Sequence, residues 1–181
     1  MIKDEIFLTE NLIDIDYLFL LVNWLTSSQP NRGKEQGSTL GTYNIPSHLH
    51  EGFQDLNIRS KKEIENFYGV SLYDEKFNSI IEYQVGDFLE LHTDNLEYID
   101  GELSYEACTS SKHLRQISSV LYLNDTYTGG EINFPNLSIN LKPKTGSLIA
   151  FSSTDQDYQH QVLEITSGTK WIAPFFWSIK D

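Results

Sequence analysis

From Ser71 onward the chain is cut into short runs rich in β-branched and aromatic residues, each closed by a turn signal. A chain punctuated this way folds as short strands packed face to face. Eight runs qualify: Asn78–Val85, Asp87–Thr93, Arg115–Leu123, Glu131–Phe134, Ser138–Leu141, Ser147–Phe151, Gln159–Ile165 and Thr169–Ser178. Gly86, Gly129-Gly130, Pro135-Asn136, Pro143 to Gly146 and Ser167-Gly168 supply the breaks. Eight such strands predict a jelly-roll sandwich or barrel. The region before them reads as helical. Apolar residues recur at helix spacing from Ile13 to Leu25, with Asp14 or Asp16 as the cap. Glu51 to Tyr68 is a second helical segment, with Phe53, Leu56, Ile64 and Phe67 near one face and Ile58 off it. Ser60 followed by Glu63 fits a capping box, which predicts a separate shorter helix starting there. Ser27 to Pro46 and Asn95 to His113 read as loops and as candidate lids over a site. The expected organisation is one domain over residues 1–181, mostly β, with residues 1–70 a helical support and residues 71–181 the jelly-roll core.

Composition narrows the function. The 181 residues carry a formal net charge of −13. Nucleic-acid binding needs clustered Lys and Arg, and anionic membranes repel such a chain, so neither is an expected partner. The single cysteine, Cys108, allows no intramolecular disulfide. The N-terminus lacks a basic segment followed by an apolar one, and the longest apolar run, Tyr17 to Val22, is too short to span a bilayer. A soluble, cytoplasmic protein is expected.

Residues two apart on a strand share a face, so His92 and Asp94 in Leu-His-Thr-Asp-Asn can reach one ion. His160 lies on a later strand. Two imidazoles and one carboxylate on one side of a metal leave the opposite coordination positions open, as in the facial triad of non-haem Fe(II) oxygenases. By residue type alone, His48, His50 and His113 are also available as ligands.

The segments around these residues resemble the prolyl 4-hydroxylase-like branch of the 2-oxoglutarate/Fe(II)-dependent dioxygenases. The resemblance runs from Ile80 to Trp177. It rests on Tyr83-Gln-Val-Gly86 with His92-Thr-Asp94, on Arg115 to Asn124, and on Gly129-Gly130-Glu131 with Phe134-Pro135. Leu141 to Phe151, then His160 and Gly168-Thr169-Lys170-Trp171, complete it in the family's order. It implies a double-stranded β-helix, the jelly roll of this family. It implies His92, Asp94 and His160 as catalytic iron ligands, and Lys170 as partner of the distal carboxylate of 2-oxoglutarate. Tyr83 and Tyr122 would line the co-substrate pocket, with Ser118 or Thr169 adding a hydroxyl. Arg115 would face the substrate, with Tyr158 and Trp177 as aromatic walls. The last strand runs one residue out of step with many prolyl hydroxylases, which leaves Phe176 as the alternative to Trp177. Fe(II), 2-oxoglutarate and O₂ are the implied cofactors and co-substrates, with ascorbate as an accessory. The implied reaction hydroxylates an unactivated C–H bond, first of all in a prolyl residue of a peptide or protein. A free amino acid or other small molecule is the alternative substrate, and a catalytically silent metal-binding module the alternative function. Asp94 stands where related halogenases carry a small residue, which points to hydroxylation.

Overall fold

The computed structural model describes residues 5–35, 37–74, 79–95, 97–99, 102–104 and 115–180. After strand β1 (Phe7–Thr9), helix α1 (Ile15–Ser27) starts where the Asp14 carboxylate accepts the backbone N–H groups of Asp16 and Tyr17, at 3.0 and 3.3 Å. Its buried stripe is Leu18, Leu21 and Leu25. Strands β2 (Asn31–Glu35) and β3 (Ser38–Asn44) then form a hairpin. Helix α2 (His50–Tyr68) is continuous. Ser60 caps nothing: it lies on the stripe Phe53, Leu56, Ser60 and Ile64, fully buried in mid-helix. Gly69, at φ +68°, ends the helix by returning its N–H to the Glu65 carbonyl.

The remaining strands are β4 (Ser79–Tyr83), β5 (Leu89–His92), β6 (Glu97–Ile99), β7 (Glu102–Ser104), β8 (Ile117–Tyr122), β9 (Thr128–Gly129), β10 (Ile132–Phe134), β11 (Ile139–Leu141), β12 (Leu148–Ser152), β13 (His160–Val162), β14 (Ile165–Ser167) and β15 (Lys170–Trp177). With β1–β3 most of them assemble into a seven-stranded sheet, β1-β12-β8-β15-β4-β3-β2, and a four-stranded sheet, β11-β10-β13-β5, while β9 pairs with β14 and β6 with β7. Two facing antiparallel sheets make the expected jelly roll.

Alternation along the large sheet separates two cores. Ile80, Ile117, Leu121, Ala150, Ala173 and Phe175 pack with the buried faces of α1 and α2. Tyr83, Tyr122, Ile149, Phe151 and Ile172 pack instead with Ile132, Phe134 and Val162 of the smaller sheet. The helices thus back the large sheet on the side away from the smaller one.

Three expectations need correction. Ser27–Pro46 is no open loop, since the β2–β3 hairpin occupies most of it. Strand β2 reads Asn-Arg-Gly-Lys-Glu and is exposed throughout, so it carries no apolar alternation to reveal it. It is anchored by charge instead: Arg32 pairs with Glu82 at 3.0 Å and Asp87 at 2.7 Å. Residues 1–70 therefore add three strands to the sheet besides the helices. Gln159–Ile165 divides into β13 and β14: Leu163 and Glu164 belong to neither strand, and β14 pairs with β9 while β13 pairs with β10 and β5. Within Asn95–His113 the structure describes Asn95 and the backbone hairpin β6–β7; the rest of that expected lid, with Cys108 and His113, lies outside the described residues. No helix among the described residues is long and apolar enough to cross a membrane.

Candidate metal and co-substrate site

A cavity of about 430 Å³ lies between the two sheets. At one side β13 pairs with the end of β5 so that His160 stands opposite His92. Their ring centroids are 4.3 Å apart. Asp94 follows two residues after His92, just past the strand end. Its Oδ1 lies 3.4 Å from His92 Nε2, and its Oδ2 3.8 Å from His160 Nε2. One ligand atom from each of the three falls within 4.8 Å of the others, the only such cluster of metal-ligating groups among the described residues. His50 is engaged elsewhere, with Nε2 2.7 Å from the Ile45 carbonyl.

The protonation pattern suits a metal. His92 Nδ1 lies 2.7 Å from the Glu90 carbonyl and His160 Nδ1 3.1 Å from the Tyr158 carbonyl. A carbonyl can only accept, so each Nδ1 carries a proton and each Nε2 is left as the nitrogen that can ligate a metal beside Asp94. Burial holds His160 neutral, pushing its pKa down to about 4 against the pull of Asp94. Burial also opposes charge on Asp94, but the facing histidines and a hydrogen bond from Ser118 outweigh it, and the carboxyl stays ionised. Ser118 Oγ donates to Asp94 Oδ2 at 2.5 Å and lies 2.7 Å from Ser153 Oγ. Sequence reasoning offered Ser118 only as a pocket hydroxyl, and Ser153 carried no signal at all. Removing the Ser118 hydroxyl frees the carboxylate to rotate. Ser118→Ala is expected to weaken Fe(II) binding by about 10- to 100-fold, measured by anaerobic titration; an unchanged affinity would assign the serine pair to packing alone.

Deeper in the cavity, the start of β15 pairs Lys170 with Tyr83 and Ile172 with Tyr122. Lys170 is 1% exposed. Its Nζ donates to the Gly130 carbonyl at 2.8 Å and lies 5.2 and 5.4 Å from the ring centres of Tyr83 and Tyr122. None of these partners carries a formal charge. Burial therefore dominates, and the pKa falls to about 7, with Glu131 opposing the fall and Lys142 adding to it. Such an ammonium is completed by an anion. Lys170, Tyr83 and Tyr122 all line the cavity.

At the mouth, the Arg115 guanidinium stacks 3.7 Å above the centre of the Phe176 ring and lies 3.5 Å from the Asp94 carbonyl. Trp177 does not join them. Lys170, Ile172, Pro174 and Phe176 line the cavity, so alternation turns Trp177 to the opposite face. There it is fully buried in the helix-side core, donating its indole N–H to Ser119 Oγ at 2.8 Å. The aromatic at the mouth is Phe176, the alternative that the one-residue offset left open. Tyr158 is also displaced: its ring is 2% exposed, packs edge-on against Phe134, and is not part of the cavity wall. Its contribution is the carbonyl that orients His160. Sequence reasoning also missed Glu35, Leu40 and Thr42, which the β2–β3 hairpin brings to the cavity.

Comparison with known proteins agrees with this geometry. Residues 79–178 match the model of the 2OG-Fe(II) oxygenase superfamily. A putative prolyl 4-hydroxylase of Acanthamoeba polyphaga mimivirus is 38% identical over 66 residues, a stretch covering 33% of this chain and only 27% of that protein. A viral collagen prolyl hydroxylase from Paramecium bursaria Chlorella virus-1, solved as its 2OG complex, superposes with a TM-score of 0.67 at 20% identity, covering 95% of this chain and 94% of that one. A Pseudomonas putida prolyl-4-hydroxylase gives 0.63 at 17% identity, covering 97% and 93%. The family model, the fold and the His-Asp-His cluster coincide on the same strands, and the chain belongs to the 2OG-Fe(II) oxygenase superfamily, whose members use Fe(II) and 2-oxoglutarate.

Proposed function

We propose that this protein is an Fe(II)- and 2-oxoglutarate-dependent dioxygenase that hydroxylates an unactivated C–H bond, most favourably in a prolyl residue of a peptide or protein. The observation that carries this reading is a single cavity with two Nε2 lone pairs and a carboxylate converging at one side and an anion-seeking lysine farther in. Bound to His92, Asp94 and His160, the iron would supply oxygen activation, drawing electrons from decarboxylation of 2-oxoglutarate to succinate. The residues do the rest. Ser118 and Ser153 fix the carboxylate, and the Glu90 and Tyr158 carbonyls fix the imidazoles. Lys170 orients the distal end of the co-substrate in a site walled by Tyr83 and Tyr122, where little water enters. Arg115, stacked on Phe176, offers a planar fork for a substrate carbonyl.

A peptide is favoured over a free amino acid because Arg115 and Phe176 sit at the mouth, where a chain can pass. The names of the structural neighbours point the same way. A silent metal-binding module has no use for a complete triad together with Lys170. Ascorbate enters this proposal only as a reductant that sustains turnover. We further propose one domain over residues 1–181, since α1, α2 and the large sheet share a core. A cytoplasmic location fits the lone cysteine.

The test is anaerobic titration of the apoprotein with Fe(II) and then 2-oxoglutarate, followed by aerobic incubation with proline-containing peptides. A weak visible charge-transfer band is expected, then succinate formation stimulated by peptide, with one oxygen atom added to it. Iron binding without the band at saturating 2-oxoglutarate would overturn the proposal in favour of a silent module. Stimulation by free amino acids but by no peptide would move the substrate to the small-molecule class.

A further inference from the structure

Among the described residues the cavity wall holds two carboxylates, Asp94 and Glu35. Asp94 lies in the ligand cluster. Glu35 is uncommitted: it makes no ion pair or hydrogen bond with any described residue. The neighbouring acids differ from it. Glu82 and Asp87 both pair with Arg32, and Glu82 also accepts from Tyr43 at 2.6 Å, Gln84 at 2.8 Å and Trp171 at 3.1 Å.

The strand that carries Glu35 is exposed and yet held in place. Register sets its facing. Glu35 stands opposite Ser38, Gly33 opposite Leu40 and Asn31 opposite Thr42, so Glu35 shares the face of Leu40 and Thr42, which line the cavity. Arg32 projects the other way and ties β2 to Glu82 of β4. The hairpin tip is docked as well. Ser38 Oγ accepts the Phe88 N–H at 2.8 Å. Gly37, at φ +102°, passes so near that a Cβ there would come within 2.5 Å of the Phe88 ring and 2.9 Å of the Glu90 side chain. Two clamps thus hold Glu35 beside the strand that ends in His92. Glu90 adds negative charge at this tip rather than relieving it. The charge of Glu35 is felt inside the cavity: after burial and Asp94, it helps keep the Tyr83 phenol protonated. Gly33, on the same face, has nothing within 4 Å of where a Cβ would stand, so the face beside Glu35 is open to a bound chain.

A carboxylate fixed in a cavity wall without a counter-ion attracts cations and repels anions that enter. We infer that Glu35 is a specificity-determining residue that selects a substrate bearing a positive charge, namely a peptide with Lys or Arg a few residues from the one hydroxylated. The long flexible stem of either side chain lets its charge reach Glu35 while the reacting residue stands at the metal. The inference deepens the proposed function and rests on it.

Paired peptides built around a proline test it, each pair identical save for Lys or Glu at one position within a few residues of that proline. Affinity is read by fluorescence anisotropy of labelled peptide on the anaerobic Fe(II)–2-oxoglutarate complex, and turnover as peptide-stimulated succinate. At the best position wild type is expected to prefer Lys over Glu by about 5- to 25-fold, since attraction and repulsion are each worth up to about fivefold for an exposed pair. Glu35→Gln brings the ratio within about twofold and Glu35→Lys inverts it. The change lies in affinity and KM rather than in kcat, and rising salt shrinks the wild-type preference. Both substitutions fall on an exposed strand, so the core is undisturbed. Glu51→Lys, on the exposed first turn of α2, alters the net charge as much as Glu35→Lys and keeps the wild-type order. Wild type that treats the pairs alike within about twofold overturns the inference. A shift from Glu51→Lys as large as that from Glu35→Lys overturns it too, because the preference would then belong to the net charge of the whole molecule. Stimulation by no peptide of either charge is a different result: it removes the peptide substrate of the proposed function, and this inference with it.

Discussion

Lys170→Met leaves Fe(II) binding intact, raises the 2-oxoglutarate dissociation constant by roughly 100- to 1,000-fold, and makes the ligand-free protein more stable. The three effects have one cause. Lys170 is a buried cation whose partners are a carbonyl and aromatic faces, so in the empty cavity its charge is a liability. Methionine matches its length and removes that liability. With 2-oxoglutarate bound, the same charge faces a carboxylate, and deleting one partner of a buried pair costs about 3–5 kcal/mol. The pH dependence follows in sign. Burial lowers the folded pKa to about 7 from an ordinary 10.5. Between these values the unfolded chain holds the proton that the folded one has lost, so the contribution of Lys170 to stability becomes more favourable as pH rises through that window, and is at its worst below about pH 7. Co-substrate affinity runs the other way. Below about pH 7 the ammonium is already formed; above it, binding must take up a proton, so affinity weakens as pH rises. Thermal melts and anaerobic titrations of wild type and Lys170→Met across pH 6.5 to 9 check both, the range being about the window around that pKa. A variant that binds 2-oxoglutarate like wild type would remove Lys170 from the site.

The parts of this molecule that could be read from its sequence are those where one residue answers to one constraint. Strands of the facing sheets announce themselves because one or both sides are buried: β8 and β12 carry apolar residues to both cores. The His-Asp-His cluster could be found because a His-x-Asp on a strand end has a geometric meaning. Strand β2 could not, since an exposed edge strand held by Arg32 has no periodic signal. The phase of β15 was left open between Trp177 and Phe176, and alternation settles it. Lys170 and Phe176 are both even-numbered and share the cavity face, whereas Trp177, the larger aromatic, belongs to the helix-side core. Size and aromaticity suggested a wall; alternation decides which wall. Tyr158 failed for a different reason. Two residues before His160, it would share that residue's face on a strand, but it lies in a short helical turn, Gln156–Tyr158, where the period of two does not apply.

Asp94→Asn is expected to abolish Fe(II) binding at micromolar metal as completely as Asp94→Ala, and with it the charge-transfer band. Asparagine keeps the shape of the carboxylate and an oxygen that can accept from Ser118 Oγ, so the local packing survives. What it loses is the only formal charge among the three ligating groups, since burial keeps His160 neutral and both Nδ1 protons are committed to carbonyls. A dication transferred from water into this cavity then meets two neutral imidazoles and an amide. Removing the compensating charge from a buried site costs about 3–5 kcal/mol, roughly a thousandfold in affinity. If the loss came from misplacement rather than charge, alanine would be much worse than asparagine, because alanine also removes the acceptor at Asp94 and leaves Ser118 Oγ only Ser153. Equal loss from both, with wild-type melting behaviour of the metal-free Asn variant, therefore isolates charge as the quantity Asp94 supplies. Retention of tight iron binding by the Asn variant would mean the metal is held by histidines and some other carboxylate. That would break the link between the β5–β13 register and the chemistry, because the pairing of His92 with His160 has value only if Asp94 closes the third position.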